Sequence, residues 1–344
     1  MKLTINNIGT IQEASINING LTVVAGENDT GKSTIGKILF ASIKADNIAF
    51  KQKADERQSK EILATRLNLI FDGNITEDGS FSIKDSSKNI ITEATIKDGN
   101  YVETYIRGKF NKEKFFDATI VQSPVVFDLV SFFDSVAKMK ERQKFEYGLD
   151  FDVSYPYILW DLYDKLSREN PFVRSQIQKE LCDSFTDIIG GEFKQENGKF
   201  YYYKYFNKRA LKIEMLNTAY GIKSFAILQL LNKNRFINKK TIIILDEPEV
   251  HLHPKWQLKM AKIIVQLVHK GIKIIVNSHS PYMIEALKRY STQKNIHCDF
   301  YLAQNNTINK INNSNEATLT QIFDKLSEPF EAFDSMDSEL LQNG

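Results

Sequence analysis

The segment that decides the fold is Gly26–Ser33, with the sequence GENDTGKS. It matches the pattern G-x-x-x-x-G-K-[ST], in which the glycines allow backbone N–H groups to surround phosphate oxygens. The continuously apolar run Leu21–Ala25 precedes it and predicts a buried strand, while Ser33–Ser42 predicts a helix. Because a helix N-terminus attracts anions, the segment predicts a phosphate-binding loop between a strand and a helix.

Individual residues of this loop have separate predicted roles. We expect the Lys32 ammonium to reach the β- and γ-phosphates of ATP, and the Ser33 hydroxyl to ligate Mg²⁺. Asn28, Gly31 and Thr34 are predicted to line the same phosphates. ATP and Mg²⁺ are therefore the cofactors that this segment implies.

A second apolar run, Thr241–Leu245, ends at two adjacent carboxylates, Asp246 and Glu247. The run predicts a buried strand, and ligands in open α/β sheets bind at the carboxyl ends of strands. We expect Asp246 to hold Mg²⁺ through water and Glu247 to polarise the water that attacks the γ-phosphate. The alternative for Glu247 is an ordinary surface carboxylate.

The third element is Asn277–Pro281, NSHSP, which follows the predicted strand Lys273–Asn277. Neighbouring strand ends converge at one edge, so His279 is predicted to reach the γ-phosphate beside Glu247. The alternative is a histidine packed in the core. The order strand, helix, strand, helix along the chain predicts an α/β fold with a layered, mainly parallel sheet.

These three elements, in this order, resemble the ABC-type ATPase heads of the SMC and RecF kind. The likeness is greatest to compact ABC ATPases allied to the OLD proteins, which carry the ending found here as EPEVHLHP at residues 247–254. The resemblance covers roughly residues 1–44 and 208–300. It implies an ABC ATPase head at 1–44 and 208–312, a mixed, largely helical insert or lid at 45–207, and a short acidic tail at 313–344.

The resemblance also implies roles for residues outside the three elements. Gln122, in a segment that looks like a glutamine loop, would ligate Mg²⁺ or its water. Ala219, Gly221 and Lys223 occupy the signature motif, which would reach the partner's γ-phosphate across a homodimer. Ala219 stands where the family usually has serine, and Tyr220 follows it, which implies slow hydrolysis.

His251 and His253 suggest a metal pair as one interpretation. Their spacing does not place them together on a helix face. The resemblance places this stretch at the dimer seam, which is the interpretation we favour.

Composition excludes several classes of protein. The two cysteines, Cys182 and Cys298, are far apart, so neither a disulfide framework nor a cysteine-rich zinc site is expected. No apolar run reaches the ~18 residues of a membrane helix, and no secretory signal is visible, so we expect a cytoplasmic protein without membrane contact.

Charge is unevenly distributed along the chain. The tail 313–344 holds seven acidic residues and one lysine, a formal −6 within a total of +2, which leaves +8 on residues 1–312. A basic body permits contact with nucleic acid. The alternation of tyrosines and lysines within 192–214 favours a hairpin with a lysine face in solvent and a buried aromatic face, with a stacking surface for nucleic acid as the alternative.

The functional expectation from the resemblance is an ATP-hydrolysing sensor or scaffold subunit in a prokaryotic defence module, as in the Septu and PARIS systems. Only 65 residues follow His279, and they lack an Asp-x-Asp pair, so a nuclease or toxin effector would be a separate protein. The alternative is a DNA-repair or chromosome-maintenance head, which predicts a long coiled coil and a Cys-x-x-Cys hook.

One apolar helix face is predicted in the tail, formed by Leu319, Ile322, Phe323 and Leu326. It docks either on the protein's own body or on an effector, and the sequence favours neither.

Overall fold

The computed structural model describes residues 1–73, 75–106, 117–147, 156–170, 177–206 and 209–342. The strands in these ranges are β1 (Lys2–Ile8), β2 (Ile11–Asn17), β3 (Leu21–Gly26), β4 (Gly79–Lys84), β5 (Ile90–Lys97), β6 (Asn100–Ile106), β7 (Asp117–Val121), β8 (Gly191–Glu196), β9 (Lys199–Phe206), β10 (Arg209–Glu214), β11 (Thr241–Asp246), β12 (Lys273–Ser278), β13 (Cys298–Gln304) and β14 (Thr307–Asn309).

The helices in the same ranges are α1 (Lys32–Gln52), α2 (Glu56–Phe71), α3 (Val130–Tyr147), α4 (Tyr157–Ser167), α5 (Ile177–Ile189), α6 (Tyr220–Lys233), α7 (Pro254–His269), α8 (Pro281–Gln293) and α9 (Asn315–Gln342). Three short 3-10 helices lie at Pro124–Phe127, Met215–Asn217 and Ile311–Asn313. None of the helices within the described ranges is long and apolar enough to cross a bilayer.

Eleven of the described strands form one sheet in the order β6-β5-β4-β1-β2-β14-β13-β3-β12-β11-β7. Strands β13, β3, β12, β11 and β7 are all parallel to one another, and they form one half of the sheet. The other half, β6 to β2, is antiparallel. The predicted α/β sheet is confirmed, and its parallel half contains the strands that precede the loop 26–33, Gln122, the Asp246–Glu247 pair and His279.

The central strands are buried on both faces, which is why they read as continuous apolar runs. In β11, Ile242 and Ile244 pack in a cluster with residues of α1 and α2. The alternate residues, Ile243 and Leu245, pack in a second cluster with residues of α5 to α9. The sheet therefore lies between two helical layers, each with its own apolar core.

Strands from the predicted insert, residues 45–207, complete the large sheet at both edges. β4 pairs with β1, and β5 and β6 continue outward from it. β7 pairs with β11 in parallel at the opposite edge. The division into head, insert and tail stays a prediction, and its boundary at 207 and 208 lies outside the described residues.

The aromatic segment forms a separate three-stranded antiparallel sheet, β10-β9-β8. Phe200 and Tyr202 are buried, as the hairpin interpretation predicts. The other face differs from the expected lysine surface, because Lys212 lies 4.0 Å from the centre of the Tyr201 ring and pairs with Glu196 at 2.5 Å. Tyrosines and lysine–glutamate pairs thus share that face, and its positive charge is locally neutralised.

The acidic tail begins as a helix that docks on the protein's own body. Leu319 and Ile322 are buried in the same apolar cluster as β13. The Asn315 amide donates to the carbonyl of Cys298 at 2.7 Å and accepts from the N–H of Phe300 at 3.0 Å. The helix continues to Gln342.

A cluster of four charged side chains joins α1, α4 and the start of β7. The ammonium groups of Lys44 and Lys165 each contact both carboxylates, Asp117 and Asp161, at 2.6 to 2.9 Å. Burial alone would raise the pKa of Asp117, but Lys165 and Lys44 more than offset it and lower this pKa to about 2. The ionised carboxylate therefore stabilises the fold above about pH 4, and this contribution is lost as the pH falls toward 2.

Replacing Lys165 should test whether this cluster holds β7 in place. Lys165→Met removes a fully buried ammonium and leaves two carboxylates facing one lysine, so we expect a loss of about 3 kcal/mol in the free energy of unfolding. Arg57→Met, in an exposed ion pair with Glu61, is the matched control and should change stability far less. Equal urea midpoints for the two variants would contradict a stabilising role for the cluster.

Candidate active site

The backbone of the loop 26–33 adopts the conformation that its glycine pattern requires. Gly31 precedes α1 with φ 84°, in the left-handed region. A Cβ atom on Gly31 would lie 2.4 Å from Cγ1 of Ile11, so a larger residue has no room there. The N–H of Thr34 donates to the carbonyl of Gly31 at 3.0 Å, which closes the first turn of the helix. Asn28 lies exposed at the top of the loop.

The Lys32 side chain is buried and directed into the loop. Its ammonium donates to the carbonyl of Gly26 at 2.9 Å and also to the carbonyl of Glu27. Burial lowers the pKa of Lys32, while attraction from Glu247 and Asp246 opposes this effect. The lysine thus lies beside the loop carbonyls, close to where its predicted phosphate contacts would be made.

Asp246 is the acceptor on which the other polar side chains converge. Its Oδ1 accepts from the Ser33 hydroxyl at 3.0 Å and from the Asn277 amide at 2.8 Å. Its Oδ2 accepts from the Gln122 amide at 3.2 Å. The register explains this convergence, because Asp246 pairs with Asn277 and the preceding Leu245 pairs with Val121. Ser33, Gln122 and Asp246, predicted from separate segments, therefore lie together.

Asn277 has a position in the site that sequence reasoning did not assign. Its amide also donates to the carbonyl of Lys32 at 3.1 Å, so it links the start of α1 to Asp246. Asn277 lies opposite Asp246 in the adjacent parallel strand, and this position would have indicated its role. The sequence does not show it, because the register of the two strands is needed.

The donor set around Asp246 fits a magnesium ion. Hydroxyl, carboxylate and amide oxygens are hard ligands, and Mg²⁺ is usually held by one or two carboxylates together with phosphates and waters. Within the described ranges no group of three or more His, Cys, Asp or Glu residues could hold a metal. A magnesium site would therefore consist of Ser33, Gln122 and Asp246, completed by phosphate oxygens and water.

Glu247 and His279 also lie together. Nδ1 of His279 is 3.3 Å from Oε1 of Glu247, and each side chain is about one third exposed, at 38% and 34%. Glu247 has φ 53°, which is strained for a residue with a side chain, and its N–H donates to the carbonyl of Asn277 at 2.9 Å. Strain of this kind concentrates at functional sites, where surrounding contacts hold it.

Glu249 is a second carboxylate at His279 that the sequence did not single out. Its Oε1 accepts from the Ser278 hydroxyl at 2.7 Å and from the backbone N–H of His279 at 2.9 Å. The same oxygen lies 3.6 Å from Nδ1 of His279. Burial raises the pKa of Glu249, although the two hydrogen bonds act against this effect.

The predicted signature residues, Ala219, Gly221 and Lys223, lie at the start of α6. Ala219 precedes α6, and Gly221 packs closely on the carbonyl of His251. The Lys223 side chain, expected to reach a partner's phosphate, is only 2% exposed and donates to Asp128 at 2.6 Å within its own chain. Lys223 lies one turn into the helix, and its contact with a partner's phosphate stays a prediction. The Tyr220 hydroxyl donates to the same carboxylate at 2.5 Å.

The two histidines at the seam have separate surroundings. Nδ1 of His253 accepts from the backbone N–H of Lys255 at 3.3 Å and so caps α7. The His251 ring lies 5.2 Å from the Tyr220 ring, between ring centres. These contacts differ from those of a metal pair, and the place of the segment at a dimer seam stays a prediction.

Comparison with known proteins places this site in an ATPase context. Residues 161–284 match the family model described as AAA ATPase domain. The Septu protein PtuA of Bacillus thuringiensis is 23% identical over 318 residues, which covers 83% of this chain and 72% of that protein. These matches confirm the predicted resemblance to an ATPase and to a protein of the Septu kind.

Similar solved structures include two SMC heads. The SMC head domain from Thermotoga maritima is 14% identical, covers 90% of this chain and 96% of its own, and has a TM-score of 0.45. The Smc head domain derived from Pyrococcus furiosus, bound to the C-terminal domain of ScpA, is 13% identical, covers 90% and 94%, and has a TM-score of 0.46.

Removing Asp128 should show how the start of α6 is held. Asp128→Ala leaves the buried Lys223 ammonium unpaired, so we expect the free energy of unfolding to fall by about 2 to 3 kcal/mol. The double variant Asp128→Ala, Lys223→Met removes the unpaired charge and should recover most of this loss. Asp164→Ala, in a more exposed pair with Arg168, is the matched control. A double variant no more stable than Asp128→Ala would argue against the pair.

Proposed function

We propose that this chain is an ATP-hydrolysing subunit that senses or scaffolds for a separate effector protein in a prokaryotic defence module. The observation that carries the proposal is the convergence of Ser33 and Gln122 on Asp246, next to the Glu247–His279 pair. This arrangement sets a phosphate-binding loop, a candidate magnesium site and a candidate base at one edge of the sheet.

The proposed reaction is the transfer of the γ-phosphoryl group of ATP to water. Loop N–H groups and Lys32 bind the phosphates, and Glu247 orients the attacking water and accepts its proton. The bond between the γ-phosphorus and the bridging oxygen breaks, and ADP and phosphate leave. His279 contacts the γ-phosphate in this scheme. Bound Mg²⁺ would neutralise charge on the β- and γ-phosphate oxygens.

A homodimer is part of the proposal. Glu27, Asn28 and Asp29 are exposed, and Glu247 and His279 remain partly exposed, so in a single copy water would reach the γ-phosphate freely. A second copy, placing Ala219 and Gly221 over the loop, would close the site. Ala219 has no hydroxyl with which to contact the γ-phosphate across the dimer, so slow hydrolysis is part of the proposal.

Similarity to a Septu protein supports the defence context. The effector would be a separate nuclease or toxin, and the cytoplasm is the proposed location. The alternative of a DNA-binding repair head rests on the +8 charge of residues 1–312. It is less favoured, because three hairpin lysines, Lys194, Lys199 and Lys212, pair with glutamates and so offer little free charge to phosphates.

Glu247→Gln should separate ATP binding from turnover. Loss of a positioned base reduces the rate by about 10²–10⁴-fold, while the loop and Lys32 still bind ATP. We expect the variant to accumulate as an ATP-bound dimer, measured by light scattering with and without ATP. Lys32→Ala should instead weaken ATP binding itself. Glu61→Gln, an exposed carboxylate on α2, is the matched control.

Unchanged steady-state turnover in Glu247→Gln would rule out this residue as the base. A strict monomer with ATP bound would rule out the closed homodimer. The two measurements are independent, so each part of the scheme can fail alone.

The defence role predicts an effect on bacteriophage growth. Cells that express this chain with the product of its neighbouring gene should show reduced plaque numbers, and Lys32→Ala should restore plating to that of cells without the pair. Glu61→Gln should leave protection intact. Protection that persists in Lys32→Ala would contradict a nucleotide-dependent role.

A further inference from the structure

We propose that Glu249 is a positioning residue that fixes the His279 ring and keeps a proton on its Nδ1 atom. The inference rests on the proposed ATPase function for its consequence, because His279 is the group through which Glu249 would act. Its basis is the geometry of three side chains, Glu247, Glu249 and His279.

Glu249 is placed by the tight turn that follows β11. Glu247 and His251 have φ 53° and 63°, and the N–H of Leu252 donates to the carbonyl of Glu249 at 2.9 Å. The turn directs the Glu249 side chain back toward the end of β12, where it is 2% exposed. A carboxylate buried to this degree is costly unless a specific interaction compensates it.

Hydrogen bonds to Glu249 occupy only one of its oxygens. Oε1 accepts from the Ser278 hydroxyl and from the His279 N–H. Oε2 is buried and has no hydrogen-bond partner among the described residues. If these two hydrogen bonds were purely structural, they would require only a neutral acceptor oxygen. A glutamine amide would then fill the position as well as the Glu249 carboxylate does.

The His279 ring lies between two carboxylates. Nδ1 is buried and has no hydrogen-bond partner among the described residues, although 38% of the side chain is exposed. Glu247 and Glu249 lie 3.3 Å and 3.6 Å from Nδ1. Two nearby negative charges favour an N–H over a lone pair at this atom. Nε2 is then the ring nitrogen left to contact a phosphate.

In this arrangement the two carboxylates have different roles, because Glu247 acts on water and Glu249 acts on the His279 ring. Glu247 is partly exposed and must remain available to water, so it cannot hold the ring at all times. Glu249 is buried and held by two hydrogen bonds, so its negative charge stays at a fixed position near Nδ1 and attracts the proton there. Replacing a carboxylate that is hydrogen-bonded directly to a catalytic histidine, and so fixes its tautomer, can reduce the rate by about 10⁴-fold. The effect is smaller when the carboxylate lies farther from the ring.

Glu249→Gln tests the charge while conserving the shape. The Gln oxygen can still accept from Ser278 and His279, and its NH₂ group replaces the unpartnered Oε2. We expect kcat to fall about 10- to 100-fold, which is a smaller fall than the loss of a directly bonded carboxylate causes. The dissociation constant for ATP should change by less than about twofold, since the contacts of the phosphate loop remain. A large loss of ATP affinity would instead mean that Glu249 acts through Lys32, and would overturn the proposal.

Nitrogen NMR of the nucleotide-free protein measures which ring nitrogen of His279 carries the proton. A purely structural role for Glu249 would leave this tautomer unchanged in Glu249→Gln. The His279 signals are assigned by their loss in His279→Gln. The wild type should carry the proton on Nδ1, and Glu249→Gln should shift it toward Nε2. Ser278→Ala removes the hydroxyl that donates to Glu249 and accepts from the Ser280 N–H, but it keeps the charge of Glu249. It should retain the Nδ1 proton and keep kcat within about threefold of the wild type, as expected when only neutral groups are lost.

The outcomes separate this inference from the proposed function. A folded Glu249→Gln variant with wild-type kcat, or one with reduced kcat and an unchanged tautomer, overturns the proposal. If Glu249→Gln does not fold, a wild-type ring with its proton mainly on Nε2 overturns it as well. If the wild type hydrolyses no ATP, the proposed function fails, while the tautomer comparison still decides whether Glu249 holds the Nδ1 proton.

Discussion

The parallel register of β7, β11, β12 and β3 is the constraint on which the site depends. These strands pair so that Asp246 lies opposite Asn277, and Ser278 lies opposite Ala25 at the start of the phosphate loop. A slip of one residue would move each side chain to the other face of the sheet. The apolar residues of the strands, packed into two separate cores, therefore fix the relative positions of polar groups that contribute little to folding.

The two ends of β7 have different roles, because its start belongs to an ion cluster and its end leads into the candidate active site. Asp117 begins the strand within the four-residue ion cluster, and Gln122 directly follows its last residue, Val121. Strong pairing at the start of an edge strand resists fraying, and the strand has one neighbouring strand, β11, in the described sheet. The ion cluster at the start of β7 thus helps to hold the strand, whose other end presents the Gln122 amide to Asp246, 124 residues away in sequence.

Sequence reasoning found the parts of the site that are encoded locally. The loop 26–33, Asp246, Glu247 and His279 each follow an apolar run whose length and position predict a buried strand, so their common edge could be inferred. Glu249, Asn277 and the Lys223–Asp128 pair were missed in their roles, since each depends on which side chain faces which across a turn or between elements. Lys223 and Asp128 are 95 residues apart, and no periodicity links them.

The charges assembled at this edge are a physical reason to expect a cation in the proposed site. Lys32 lies in the field of Glu247, Asp246, Glu249 and Glu27, all of which attract its ammonium. Carboxylates therefore outnumber the lysine, and the polyphosphate of ATP adds further negative charge. Repulsion between like charges in a partly buried site is not fully screened by salt. In the proposed complex the loop N–H groups and Lys32 would offset part of this repulsion, and a dication at Asp246 would offset more of it, so we expect nucleotide and Mg²⁺ to bind as one unit.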